Sequence, residues 1–168
     1  GKTYGVWMGR FDEGEYRPYD IRIENNSISS ATTNGLMVSG HDVAVTGNVF
    51  DRNHHTALFG HAGGQIDVVR KSDNIRIEWN EITRGYMAGS LGSSGVELDS
   101  HQLNNVGVRY NYIHDNDGSG IYINDYANSA EVVTGIVFEN NRIVSNGWGS
   151  IKYGPGQYPM VRNNCTTT

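Results

Sequence analysis

Five segments of this chain align without a gap: "IRIENNSI" (21–28), "VAVTGNVF" (43–50), "IRIEWNEI" (75–82), "VGVRYNYI" (106–113) and "IVFENNRI" (136–143). A sixth, "PMVRNNCT" (159–166), keeps the register and loses the apolar positions. Apolar residues stand at the first, third and eighth positions and Asn at the sixth, giving a column of Asn26, Asn48, Asn80, Asn111, Asn141 and Asn164. These Asn are separated by 22, 32, 31, 30 and 23 residues. A second apolar run follows each: "GLMV" (35–38), "ALFG" (57–60), "GIYI" (120–123) and "SIKY" (150–153) open nine residues after their Asn, whereas "GVEL" (95–98) opens fifteen after. Alternation predicts that Leu36, Val38, Leu58, Val96, Leu98, Ile121, Ile123 and Ile151 point inward. A coil of about 22 residues with short strands and a buried Asn column implies an all-β chain, a right-handed parallel β-helix of five to six coils. Its strands would stack about 4.8 Å apart with the Asn amides bonded along the axis. A Leu-rich repeat falls in the same period range, but its L-x-x-L-x-L-x-x-N pattern is missing.

One domain over 1–168 is expected, with coils opening near 20, 42, 74, 105, 135 and 158. Solenoid ends need polar caps, and both ends of the sequence fall in mid-register, so further β-helix coils or neighbouring chains are the partners expected there. The surplus over the shortest coil lies at 61–73, 83–94 and 124–134, all flanking the second-strand sheet. Loops carry binding function in such folds.

Composition narrows the classes of function. A net charge of −5 argues against nucleic acid. No stretch approaches the ~20 apolar residues of a membrane span. The opening "GKTYGVWMGRF" lacks signal-peptide order, so any targeting segment is expected to have been removed or left out. Cys165 is alone, so no internal disulfide is expected.

The outward positions of the second strands read Met37, Phe59, Glu97, Tyr122 and Lys152, and the next read Ser39 or Gly40, His61, Asp99, Asn124 or Asp125, and Gly154; His101 and Gln102 lie beside them. Carboxylates gathered with a single Lys raise one another's pKa, an arrangement that costs stability unless a cation or substrate offsets it. The outward column of the first strands, Glu24, Thr46, Glu78, Arg109, Glu139 and Arg162, mostly alternates in charge instead, which predicts structural cross-strand pairs.

The run from Glu97 to Asn141 resembles the catalytic module of the mannuronan C-5 epimerases. Asp99-Ser100-His101 matches that family's D-P-H motif with Ser in place of Pro. Gly120-Ile121-Tyr122-Ile123-Asn124-Asp125-Tyr126 matches its G-[FI]-x-x-x-D-Y stretch; Val96 stands where the family has Tyr. The resemblance implies a right-handed β-helix that inverts C5 of mannuronate within polymeric alginate, sometimes with lyase side activity, and that is secreted or at the cell surface. Removing a proton α to a carboxylate needs a group to hold the substrate's charge, a base and an opposed acid. Asp99, His101, Asp125 and Tyr122 are the catalytic candidates. His101 suits the base, and Asp99 or Asp125 the charge-holding group. Glu97, Lys152, His61, Arg84, Asn124 and Tyr126 are candidates for substrate binding. Reprotonation gives an epimerase and elimination a lyase.

Two other readings stand beside this one. Glu97 and Asp99, i and i+2 on a strand, have Cα atoms roughly 6.6 Å apart, within the range used by glycoside hydrolases. A non-catalytic glycan-binding or structural β-helix, such as a segment of a phage fibre or adhesin, needs neither carboxylate. "DNDG" (115–118) imitates part of a calcium loop in a turn where Asp, Asn and Gly occur anyway. Ca²⁺ is therefore the one cofactor with a sequence signal, and no metal ligands are assigned. His41, His54, His55 and His114 are expected at structural or solvated corners, and Trp7, Trp79 and Trp148 in packing rather than sugar stacking.

Overall fold

The computed structural model describes residues 5–8, 17–53, 63–87, 92–99, 102–124, 133–154 and 157–167. Strands appear in chain order as β1 (Val6–Met8), β2 (Tyr19–Glu24), β3 (Ser27–Ser29), β4 (Leu36–Val38), β5 (His41–Thr46) and β6 (Val49–Asp51). They continue with β7 (Gly63–Val68), β8 (Asp73–Glu78), β9 (Glu81–Thr83), β10 (Ser93–Asp99), β11 (Asn104–Arg109) and β12 (Tyr112–His114). The last are β13 (Ile121–Asn124), β14 (Val137–Glu139), β15 (Arg142–Val144), β16 (Ile151–Lys152), β17 (Met160–Arg162) and β18 (Cys165–Thr167). Every third strand joins the same sheet. Sheet A runs β1-β4-β7-β10-β13-β16, sheet B runs β2-β5-β8-β11-β14-β17, and sheet C runs β3-β6-β9-β12-β15-β18. All pairings are parallel between neighbouring coils.

One apolar residue per inward position builds the core. Val43, Val45, Ile75, Ile77, Val106 and Val108 come from sheet B, Phe50, Ile82, Ile113 and Ile143 from sheet C, and Leu36, Ile66, Val96, Leu98 and Ile121 from sheet A. β-branched residues suit these rungs, because their stiff side chains stack on those of the coil above. The expected inward positions Leu36, Val38, Val96, Leu98, Ile121 and Ile123 are buried; Ile151 is half-buried, and Leu58 lies outside the described residues.

The Asn column is a continuous ladder at the corner between sheets B and C. Each amide donates Nδ2 to the next Oδ1: Asn26 to Asn48 at 3.1 Å, Asn48 to Asn80 at 3.1 Å, Asn80 to Asn111 at 3.0 Å, Asn111 to Asn141 at 3.1 Å, and Asn141 to Asn164 at 2.9 Å. Each Oδ1 also accepts the backbone N–H of the preceding Asn, at 2.9–3.0 Å. The residue before each ladder Asn takes positive φ, including Asn25, Gly47, Trp79, Tyr110, Asn140 and Asn163. Non-glycine residues rarely occupy that region; here the corner holds them. Trp79 stacks on Tyr110 at 4.5 Å between ring centres.

A second ladder, which the repeat alignment does not reveal, lines the corner leaving sheet C. Asn53, Asn116 and Asn146 each sit five residues after a ladder Asn, but the third coil carries Gly85 there. Gln65 from β7 fills the gap. Its Oε1 accepts Asn53 N–H at 3.1 Å and Asn53 Nδ2 at 3.0 Å, while its Nε2 donates to Asn116 Oδ1 at 2.9 Å and to the Thr83 carbonyl. Gly85 N–H completes the pattern by donating to Asn116 Oδ1 at 2.9 Å. A Cβ on Gly85 would stand 2.9 Å from Gln65 Cγ and 3.0 Å from Asn116 Oδ1, so the missing side chain makes room for the visiting one. Gln65→Ala should therefore cost about 2–4 kcal/mol, since it strands several buried donors and acceptors. Adding Gly85→Asn to that variant should recover at least half of the loss in denaturant unfolding. A double variant no more stable than Gln65→Ala alone would refute the substitution of one amide for the other.

Candidate functional site

The register of sheet A puts one residue per coil in a single outward column: Trp7, Met37, Asp67, Glu97, Tyr122 and Lys152. Four of the five residues expected from the sequence are here, and Phe59 is replaced. The sheet-A strand of that coil is Gly63–Val68, and "ALFG" (57–60) and His61 lie outside the described residues. Ile66 pairs with Leu36 and Val96, ten and sixteen residues after their ladder Asn, but itself follows Asn48 by eighteen. The coil thus carries an insertion before its sheet-A strand, as the third coil does. Asp67 was missed for this reason. The signal was present, because Ile66-Asp67-Val68 repeats the apolar-acid-apolar form of Val96-Glu97-Leu98.

Asp67 and Glu97 are directly opposed on neighbouring rungs. Asp67 accepts Gly64 N–H at 3.0 Å and Asn34 Nδ2 at 2.6 Å. Burial, then the neighbouring Glu97 charge, drives the Asp67 carboxyl well above the usual range, against the pull of the Gly64 hydrogen bond. Glu97 is 5% exposed. Burial raises its carboxyl to about 7, against the hydrogen bond from Asn124 and helped by the Asp99 charge. Asn124 Nδ2 reaches Glu97 Oε1 at 2.9 Å, while Oε2 is buried without a hydrogen bond among the described residues. Glu97 therefore resists ionisation up to about pH 7, Asp67 is likewise pushed well above the usual carboxylate range, and Glu97 retains an unused oxygen.

Asn124 links this pair to the next coil, since its Oδ1 accepts the Tyr122 hydroxyl at 3.4 Å. Lys152 Nζ lies 5.1 Å from the Tyr122 ring centre and 5.2 Å from that of Trp148, so a cation is held at the edge of the site by two aromatic faces. Asp99, which pairs in register with Asn124, closes the row; Arg70 Nε lies 3.8 Å from its Oδ2. Arg70 is a further neighbour that the sequence did not single out.

Of the residues expected at the site, Glu97, Asp99, Tyr122, Asn124 and Lys152 come together on sheet A. Arg84 does not join them. It follows β9 of sheet C and makes a two-pronged pair with Asp51, at 2.8 and 2.7 Å. His61, His101, Asp125 and Tyr126 lie outside the described residues.

The blander expectations fare as follows. On sheet B, Arg109 bonds Glu139 at 2.8 Å and Glu78 at 3.3 Å, and Arg162 bonds Glu139, so the charged column is internally paired there. In "DNDG", Asp117 accepts the N–H groups of Met87 and Ser93, Asn116 is in the second ladder, and Asp115 meets His114 at 2.7 Å. That turn is occupied with its own fold. Among the described residues, no group of three or more His, Cys, Asp or Glu is arranged to hold a metal ion. Among them, too, no helix is long and apolar enough to cross a membrane.

A family model described as "Right handed beta helix region" matches residues 3–168. Among solved structures, the periplasmic alginate epimerase AlgG superposes with a TM-score of 0.64 at 14% identity, covering 97% of this chain. A point mutant of that enzyme gives 0.64 at 15% identity. The chain spans 37% of the epimerase's length. A search of curated proteins returned no match.

Proposed function

This chain belongs to the right-handed β-helix family, and we propose that it uses the outward face of sheet A to bind an acidic polysaccharide and exchange the proton at C5 of its uronate residues. The observation that carries this reading is the opposed pair Asp67 and Glu97, resisting ionisation in the same outward column as Lys152, which stands two rungs from Glu97 across Tyr122. A carboxyl that stays protonated near neutral pH donates a hydrogen bond to a substrate carboxylate instead of repelling it, and it draws charge from the ring as the C5 proton leaves. Lys152 supplies a cation to the same carboxylate. Tyr122, held by Asn124, offers a phenol as proton donor, and Asp99 closes the carboxylate subsite. His101, two residues beyond Asp99 in the sequence, is assigned the base, Asp125 a charge-holding role beside Asp99 and Tyr126 substrate binding, on the strength of the motif alone. The fold likeness to an alginate epimerase supports the choice of polymer class. The protein would then act outside the cytoplasm.

Glycoside hydrolysis is the second reading. Two carboxyls opposed on adjacent rungs, both raised, set a protonated acid beside a second carboxyl as glycosidases do. Incubation with polymannuronate, polyguluronate and pectate in D₂O, followed by proton NMR, separates the outcomes. Deuterium at C5 is the expected result for an epimerase, and new unsaturated ends, whose C5 carries no hydrogen, for a lyase. New reducing ends without exchange or unsaturation would indicate hydrolysis, and no change in any polymer would refute catalysis on this face.

A further inference from the structure

Sheet B carries a second feature, on a different side of the solenoid. Its outward row one step before the paired charges reads Arg22, Ala44, Arg76 and Gly107, in register across four coils. This row floors a groove of about 280 Å³ whose wall includes Asp20, Asp42, Asn74 and Arg109. Arg22 and Arg76 are two rungs apart, roughly 10 Å along the axis. Both are exposed, and neither guanidinium has a hydrogen bond or ion pair among the described residues. The next row behaves differently: Arg109 and Arg162 are both neutralised by glutamates. Between Arg22 and Arg76 stands Ala44, and beyond them Gly107, where a Cβ would collide with the Arg109 guanidinium. The floor is therefore open at Ala44, with Arg22 and Arg76 on either side of it, while the Arg109 guanidinium covers Gly107.

We propose that this groove is a second, non-catalytic glycan track, which seats an extended uronate-bearing chain with its carboxylates on Arg22 and Arg76. A guanidinium fork fits a carboxylate through two parallel hydrogen bonds. The floor at Ala44, between the two cations, admits a sugar ring, and the wall supplies acceptors for its hydroxyls. Asp42 is already engaged there, by Asn74 at 3.1 Å and by His41 at 2.9 Å. Two carboxylates on the wall and a net charge of −5 disfavour a polyanion as dense as nucleic acid. They suit a chain with one charge per sugar and many hydroxyls. Binding here is independent of turnover on sheet A, and it would hold a long polymer to the protein between catalytic encounters.

Affinity electrophoresis tests this with gels containing polymannuronate, a neutral glucan or a sulfated, uronate-free galactan. The proteins are the wild-type chain, Arg22→Gln/Arg76→Gln and Glu97→Gln. The wild type should be retarded by polymannuronate and not by glucan. The double arginine variant should lose on the order of tenfold in retention, as expected for two charge-assisted contacts, while Glu97→Gln keeps it. A double variant retarded like the wild type overturns the track. So does a wild type that polymannuronate fails to retard, or a double variant that loses retention only in the sulfated galactan. Retention lost in Glu97→Gln alone also overturns it, leaving sheet A as the binding face.

Discussion

Glu97→Gln should lower turnover of an acidic polysaccharide by on the order of 10²-fold or more while making the folded chain more stable at alkaline pH. The two effects have one origin. The Glu97 carboxyl is raised from its ordinary 4.5 to about 7, chiefly by burial. Between those values the native state holds a proton that the unfolded chain has released. This carboxyl's contribution to stability is therefore full below about pH 4.5 and is lost as pH climbs through about 7. The distance from 4.5 to about 7 corresponds to roughly 3 kcal/mol. Gln keeps the shape and the contact with Asn124 but has no charge to desolvate, so the variant should match the wild type near pH 4 and exceed it by up to about 3 kcal/mol at pH 8. Urea unfolding at the two pH values, with the NMR exchange assay, reads both effects. If stability rises and turnover is untouched, Glu97 has no part in the chemistry, and the sheet-A proposal loses its main support.

Asn111→Ala should be among the most damaging single truncations of the ladder residues. The side chain donates to the Ile77 carbonyl at 2.8 Å and to Asn141 Oδ1 at 3.1 Å, and its Oδ1 accepts Asn80 N–H at 2.9 Å and Asn80 Nδ2 at 3.0 Å. Alanine leaves a buried N–H and a buried carbonyl unpaired between coils. A loss of about 3–5 kcal/mol is expected, a large part of the roughly 5–15 kcal/mol typical of a domain. Asn26 has an exposed amide that, among the described residues, bonds the Glu24 carbonyl and Asn48 alone, so Asn26→Ala should cost about 1 kcal/mol. Denaturant midpoints of the two variants give the comparison. Equal losses at both positions would mean that the ladder's strength does not depend on burial.

The sequence displayed the repeat because an Asn in a stacked corner has no substitute of the same reach, so it recurs in every coil. Apolar residues on each side of it fixed sheets B and C. Sheet A was harder to read, because the segments ahead of it change length. "ALFG" after Asn48 satisfies the spacing of the other coils, yet the pairing strand is "GGQIDV", fifteen residues beyond that Asn. Local pattern cannot choose between two apolar runs when the choice depends on which one meets Leu36 and Val96 in space. Asp67 was lost with that choice. Gln65 was invisible for a related reason. Its amide does the work of a residue that Gly85 lacks, and only three-dimensional proximity connects positions twenty residues apart. Arg84 shows the reverse case, a cation near the motif in sequence but spent on Asp51 at another corner.

Two residues separate sheet B from sheet C in each of the six crossings, from Glu24–Ser27 to Arg162–Cys165. Both borders of sheet A vary in length from coil to coil. The molecule is thus bound like a book, with a spine of constant length stitched by the first Asn ladder and leaves that can be trimmed or lengthened along the two other edges, beyond the second amide ladder where sheet C ends. New loops can be spliced beside sheet A without disturbing the binding, and the surface that meets a partner can change while the coil count and the stacking stay fixed.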